Sequence, residues 1–377
     1  MRKKSVAIMD IRSSQITAVV GERGVNNTFI IKSKFSVDYE GYEDGELLDV
    51  PSFIHAVSEV VRSTISAYGG VKTFYVGIPG EFLKVVNVEK VVSFHSAKKI
   101  IQADCEYLAG MSAPADTDEY QTIKHSCLYF VLSDMRKIIN PIGTVSDSLR
   151  GKFCFYQCKN SFVKTLMGVF KRFQNVDIVN LIPTIQTEAM YLIEPEKRDE
   201  YAVLFDLGYI SSTYSVICGN GLAFCESFSI GVGHIAAYLM EQLEIPFKVA
   251  SYFVSAVNLN AKEKLSVIEE YYYNGKTYRF STAVLRDLIR EGLDALCGAI
   301  EECRQSYTGK NLDSKPINIT GEGVKMIRGL NEHISNRLVK SVETVAPKVP
   351  FYDKPQFSSL LSLLDAALKD LRTASIY

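Results

Sequence analysis

The chain lacks several features that would assign it to a function class at once. No apolar run approaches the about 18 residues that a membrane-spanning helix requires, and the apolar stretch that follows Met1-Arg-Lys-Lys4 is interrupted by Asp10, which argues against a secretory leader. Charge of one sign is also missing: 42 Lys and Arg against 43 Asp and Glu leave no global field to draw in nucleic acid or anionic lipid. The eight cysteines form no CxxC pair and have no histidine at zinc-finger spacing, so they read as thiols of a reducing cytoplasm. At 377 residues the chain exceeds what one hydrophobic core usually supports, which predicts two large units.

What is present is an echo. Ser5 to Val20 reads as an apolar strand ending in Asp10, a small polar turn and a second strand, and Tyr201 to Val216 repeats the pattern around Asp206. Gly/Asn turns follow both copies, at Gly24 to Asn27 and Gly219 to Gly221, each leading into a third apolar run. Two halves of this kind predict a cleft between them.

Around these units the pattern alternates strands and helices. Asp49 and Pro51 open a helix with Phe53, Ile54, Val57, Val60, Val61 and Ile65 on one face. A buried strand at Thr73 to Pro79 follows, so the first half builds a mixed sheet with helices on its face. The stretch from about Leu83 to Cys158 breaks the rhythm: strand-like runs at Val85 to Val88 and Val91 to Phe94, a helix from about Ser96 to Leu108, then strands at Cys127 to Leu132 and Gly151 to Gln157. Helices at Ser161 to Phe173 and Thr184 to Leu192, with a strand at Val176 to Leu181, restore it, and the charged segment Glu194 to Glu200 marks a boundary near residue 200. Beyond it the spacing predicts helices at His234 to Leu243 and Phe247 to Asn258, strand character around Asn274-Gly275, a long helix from Ser281 to about Tyr307, and a strand from Ile317 into the Gly321 to Gly323 loop. The segment Phe357 to Leu371 is amphipathic, with Leu360, Leu361, Leu364 and Leu368 on one face. Its basic residues are Lys369 and, just past it, Arg372, too few for an interfacial helix, and it reads as core packing.

The motifs in this order resemble the actin-like superfamily, and within it the bacterial cell-division FtsA family. Asp10-Ile-Arg-Ser-Ser14 resembles that family's first phosphate loop, Asp-Ile-Gly-Thr-Ser, and Gly45 to Asp49 its Gly-x-Ile-x-Asp lead into a helix. Asp206-Leu-Gly208 is similar to the second phosphate loop, Ile230 to Ile235 to the Gly-Gly-x-x-Ile-Thr element, and Ile319 to Gly323 with Gly329 to the adenosine motif. The block containing Asn140-Pro-Ile-Gly143 and Leu149 is similar to the FtsA insertion, a strand-helix-strand-strand module. The resemblance implies an α/β, actin-like two-lobed fold of duplicated ribonuclease-H-like domains. Its first lobe would span 1–83 with 159–199, the insertion 84–158, the second lobe 200–246 with 312–377, and a further subdomain 247–311.

The same resemblance implies an ATP–Mg²⁺ site. Its cofactor-binding residues would be Asp10, Arg12, Ser13, Ser14, Gln15, Asp206, Gly208, Ser211, Ser212, Gly231, Gly233, Gly321, Glu322 and Gly323, with Asp10 and Asp206 holding Mg²⁺ through water. The chain departs from the family at many of these places. Arg12 replaces a glycine and Gln15 a lysine; Tyr209 and Ile210 replace two glycines; Thr213 stands for an Asp, Val232 for a glycine, and Ala236 and Tyr238 for a Thr and an Asp. Ser251 and Val254 sit where a Glu and a Lys would contact ribose and base, and Glu322 puts a carboxylate into the adenosine loop. A ring and a β-carbon in a loop meant to wrap phosphate block close approach, and each lost charge-assisted contact costs about 1.5–3 kcal/mol.

Arg12 has two readings: a guanidinium that binds phosphate bidentately, or one that pairs with Asp206 across an empty cleft. Asp10 and Asp206 likewise either serve Mg²⁺ or cap their own turns. His234 reads as a satisfied structural histidine, and no nucleophile or catalytic base is marked beside the second loop, which disfavours a metabolite kinase. The resemblance implies a cytoplasmic scaffold at the division septum, bound to an FtsZ-like tubulin homologue and other division proteins, with self-association into actin-like filaments and membrane contact only through partners. An ATP-dependent polymerising ATPase and a PilM-like adaptor of a pilus or envelope machine are the alternatives.

Overall fold

A computed structural model describes residues 5–25, 28–261 and 267–373. Asn26 and Asn27 of the first expected Gly/Asn turn, and Met1 to Lys4, lie outside the described residues. In the first half, β1 (Val6–Ile11), β2 (Gln15–Arg23) and β3 (Phe29–Asp38) are followed by the two-residue strands β4 (Tyr42–Glu43) and β5 (Glu46–Leu47), helix α1 (Val50–Ala67) and β6 (Thr73–Ile78). The insertion comprises β7 (Leu83–Lys99), α2 (Gln102–Ser112), β8 (Tyr120–Leu132), β9 (Lys137–Ile138) and β10 (Val145–Lys159). Then come α3 (Asn160–Phe170), β11 (Ile178–Pro183), α4 (Thr184–Leu192) and the short α5 (Pro195–Asp199). The second half runs β12 (Ala202–Leu207), β13 (Ser212–Cys218), β14 (Gly221–Phe228), α6 (Val232–Leu243), α7 (Phe247–Ala256), β15 (Ile268–Tyr273), β16 (Lys276–Ser281), α8 (Thr282–Ser306), β17 (Ile317–Thr320), α9 (Leu330–Leu338), β18 (Val342–Thr344) and α10 (Ser358–Thr373).

The echo is a duplication of topology. Among the described residues one sheet has the order β11-β6-β1-β2-β3 and the other β14-β13-β12-β17-β18. In each, the central strand pairs antiparallel with the next strand and parallel with a later one. The register matches to the residue: Asp10 lies opposite Thr17, and Asp206 opposite Thr213. Both carboxylates therefore stand at the C-terminal ends of central parallel strands, where open α/β sheets place their crevices. This is a two-lobed, duplicated α/β architecture.

Alternation along the central strands assigns the layers. Ala7 and Met9 of β1 pack towards Phe53, Val57, Val60 and Val61 of α1 and Phe162 and Leu166 of α3, whereas Val6 and Ile8 pack towards α10. In β12, Val203, Phe205 and Leu207 meet α6, α7 and α8, while Ala202 and Leu204 meet Ile185 and Ala189 of α4. Helix α10 follows the second sheet in the chain, and the sequence reading groups it there, yet it buries Leu360, Leu361, Leu363, Leu364 and Leu368 on the first sheet. Helix α4 makes the reciprocal choice and lies on the second. Apolar period alone identifies an amphipathic helix but not the sheet it covers, and the two helices cross between the lobes.

Local signals explain most boundaries. Asp49 caps α1 by accepting from the Ser52 amide at 3.0 Å, and Ser281 caps α8. Asn274 and Gly275, both with positive φ, close the β15–β16 hairpin. The insertion departs from expectation. The two short runs after Leu83 are one long strand, because β7 pairs with β10 from Leu83 opposite Cys158 to Lys99 opposite Val145. The helix starts at Gln102 rather than near Ser96; the Asp104 carboxylate fixes that start by accepting from the Ile101 amide at 3.0 Å. The polar segment Gly41 to Asp49 holds the small β4–β5 hairpin.

The insertion does not stand apart. Leu128, Cys154 and Tyr156 of its sheet share a core with Ile217, Cys218 and Leu222 of the β13–β14 hairpin, and the Asn220 amide donates to the Cys127 carbonyl. Among the described residues no helix is long and apolar enough to cross a membrane, and the cysteines are all free.

If α10 is core and not a surface element, Leu361→Ala, at a fully buried position, will lower unfolding free energy by about 2–5 kcal/mol in urea titrations.

Candidate functional site

The two sheets point the ends of β1 and β12 at one another, and Arg12 fills the space between them. Its Nη1 lies 3.4 Å from both carboxylate oxygens of Asp206, its Nε 3.6 Å from Asp10, and its Nη2 3.6 Å from Glu188 on α4. Nε and Nη2 also donate to the Ser359 hydroxyl on α10, at 3.0 and 2.6 Å, and that hydroxyl donates to Asp10 at 2.5 Å. Tyr39 donates its hydroxyl to the Arg12 carbonyl and fixes the loop backbone. A single cation thus faces carboxylates from both lobes and from α4, and a hydroxyl from α10.

Burial works against Arg12, Asp10, Glu188 and Glu322. Asp206, Asp10, Glu188 and Glu322 overcome the desolvation of Arg12 and hold its pKa well above the ordinary value. Burial raises the Asp10 carboxyl, with Arg12 and Ser359 opposing. It raises Glu188 well above the usual carboxylate range, the Asp206 charge adding to the effect. Glu322 is raised by burial too, again against Arg12. One Asp10 oxygen and both Glu188 oxygens have no hydrogen-bond donor. The cluster holds more acid than its one cation balances, and Glu188 is the member most biased towards the protonated form.

The second loop is folded onto itself. The Val232 amide donates to Gly208, at 3.2 Å, and the Gly233 amide to Tyr209, at 2.8 Å. Those amides form the N-terminus of α6, the element that would otherwise receive an anion. Gly231 is required for this closure, because a Cβ there would stand 2.4 Å from the Tyr209 carbonyl oxygen. The Tyr209 ring lies beside Gly233, its hydroxyl bonds Ser251 on α7, and its amide donates to Glu322. The side chain therefore crosses from the second loop to the helix where the resemblance places ribose contacts.

The remaining expected residues divide. Ser13 accepts from the Ile210 amide at 3.0 Å and ties the first loop to the second. Gly321, at φ +102°, brings the backbone against the Asp206 carboxylate, and Gly323 packs on Leu207 and Val232. Ser211 lines the cleft, while Ser212 is turned to the Ile230 carbonyl. Gln15 donates to Asp38 on β3 and makes no bond to the cluster; Ser14 contributes its carbonyl to Tyr39. His234 accepts from the Gly231 amide on Nδ1, at 3.2 Å, and its Nε2 lies 3.7 Å from Glu43, beyond hydrogen-bond distance.

The space left between Arg12, Tyr42, Pro79, Asp206 and Glu322 is about 30 Å³, the share of one water, whereas sites for metabolite-sized ligands run to about 300–1,000 Å³. These residues do not fit ATP–Mg²⁺: a guanidinium stands between the two carboxylates meant for the metal, and the phosphate-binding amides are engaged. Among the described residues no cluster of His, Cys, Asp and Glu suits a metal ion.

Glu188 and Ser359 were not visible as site residues. Thr184, Thr187 and Glu188 form a polar stripe at i, i+3, i+4 on a helix whose other face is Ile185 and Ala189, and Ser358-Ser359 opens a leucine-rich helix. Those stripes are the signals that could have found them.

No protein-family model matches the chain, and no curated protein matches it by sequence. Its fold is that of actin-like proteins of known structure. It superposes on the chain described as the PilM-PilN type IV pilus biogenesis complex at TM-score 0.64 and 14% identity, covering 97% of this chain and 99% of that one. MreB5 of Spiroplasma citri bound to ADP gives 0.58 at 9% identity over 98% of each chain, and the MamK double helical filament 0.53 at 11% over 96% and 98%.

Two outcomes are expected. Arg12→Ala leaves buried carboxylates without their cation and will cost about 3–5 kcal/mol of stability, measured by urea unfolding. Glu188, Glu322 and Asp10 are all held above their ordinary values, 4.5 for the two glutamates and 3.8 for Asp10. The stability they contribute is complete below those values and is lost as pH rises through the elevated ones. Wild-type stability will therefore decline towards alkaline pH by up to about 1.4 kcal/mol per unit for each group, and Glu188→Gln will flatten the decline.

Proposed function

We propose that this actin-like chain is an adaptor that works by holding protein partners and does not turn over nucleotide. The observation that carries the reading is Arg12, which occupies the cleft and engages Asp10 and Asp206, the carboxylates the resemblance assigns to Mg²⁺. Tyr209 and the capped N-terminus of α6 support it. Calorimetric titration with ATP and Mg²⁺ is the test. No heat at micromolar affinity is expected, and micromolar binding that Arg12→Ala abolishes would overturn the reading in favour of a guanidinium phosphate site and an ATP-dependent polymer.

The partner reading that we favour is a PilM-like adaptor on the cytoplasmic face of an envelope machine, with the membrane reached through the partner. Its support is the end-to-end likeness to the PilM-PilN structure, which covers nearly all of both chains. An FtsA-type division adaptor is the second reading, supported by Asn140-Pro-Ile-Gly143 within the strand-helix-strand-strand insertion. Pulldown with the cytoplasmic tail of a pilus inner-membrane protein and with the tubulin-like division protein separates them. Retention of the tail alone is expected; retention of the tubulin-like protein alone reverses the order. Self-association into filaments is part of either reading, and sedimentation without added nucleotide measures it.

A further inference from the structure

A second cavity, of about 430 Å³, shares no lining residue with the cleft. It lies where β6, β11, α4 and α10 meet β8 of the insertion, and its size falls within the range of sites for small metabolites. Two groups in its wall lack partners. Lys124 on β8 makes no hydrogen bond or ion pair with any described residue, and burial lowers its pKa with only the Asp370 charge opposing. Gln186 on α4 is 7% exposed, and its Oε1 is buried without a donor. A half-buried ammonium with no ion pair, opposed only at longer range by Asp370, and a buried carbonyl without a donor are both unfavourable in the protein alone. They complement a ligand that brings an anion and an N–H or O–H.

The other charges narrow the chemistry. Asp370 accepts from Tyr75 at 2.8 Å, and Asp365 faces Lys369 at 2.6 Å and Arg23 at 3.1 Å. With Lys124, Lys369, Asp365 and Asp370 lining it, the cavity is close to neutral, which disfavours a multiply charged anion such as phosphate and suits a single carboxylate. Leu181, Ile182 and Met190 offer an apolar wall for a short side chain. The geometry points to a binding site for a small 2-hydroxy or 2-amino carboxylate: its carboxylate on Lys124, its hydroxyl or amino donor on Gln186. The site lies on the two crossing helices that also carry Glu188 and Ser359.

The test is calorimetric titration of the full chain with L-lactate, L-malate, glycine and L-glutamate, with acetate and inorganic phosphate alongside. At least one of the first four binds, acetate and phosphate bind about tenfold or more weakly, and Lys124→Met weakens binding by about tenfold or more. Lys124→Met without ligand melts no lower than wild type, since a half-buried charge that makes no ion pair has been removed. Gln186→Leu reduces the favoured acid to the affinity of acetate. Absence of binding by all four acids, equal binding by Lys124→Met, or a lower melting temperature of that variant would overturn the assignment.

Discussion

One guanidinium, shared among carboxylates that belong to different parts of the chain, is the constraint on which the closed form of this protein depends. Arg12 comes from the first lobe, Asp206 from the second, Glu188 and Ser359 from the helices that cross between them. Arg12 and Glu188 are desolvated where they lie, and the attraction between the guanidinium and the carboxylates around it offsets that cost. The first loop, the second loop and the crossing helices therefore hold their positions together. The small volume left in the cleft, the tilt of Gly321 against Asp206 and the engagement of Ser13 with Ile210 are all consequences of that closure.

Much of the fold was legible because strands and helices here follow local rules. The central strands are unbroken apolar runs ending in Asp, α1 begins at an Asp cap followed by Pro, and Asn274-Gly275 marks its hairpin. The register match of Asp10 with Thr17 and Asp206 with Thr213 shows that the echo in the sequence is an echo in space. The insertion was read less well, since the half-exposed strand β7 carries Glu89 and Lys90 where a local rule sees a break and only pairing with β10 sees continuity.

The candidate site divides in the same way. Asp10 and Asp206 lie at the ends of their own strands and Arg12, Ser13, Gly321 and Glu322 in the loops beside those ends, so sequence order brought them into view. Glu188 and Ser359 arrive by tertiary placement of α4 and α10, whose exchange between sheets no periodicity reveals. Gln15 illustrates the converse: adjacent in sequence to the first loop, it belongs to β2 and is drawn across the sheet to Asp38.

The docking of the insertion on the β13–β14 hairpin has a mechanical meaning. The lobes are joined at the cleft by Arg12, behind it by α4 and α10, and at the side by a dry contact in which Leu128 and Tyr156 meet Ile217 and Leu222. A hinge rotation leaves contacts intact only along its own axis, so any opening must tear at least one attachment lying off it. Bracing of this kind resists relative rotation of the two lobes, because three attachments on different sides cannot all lie on one axis.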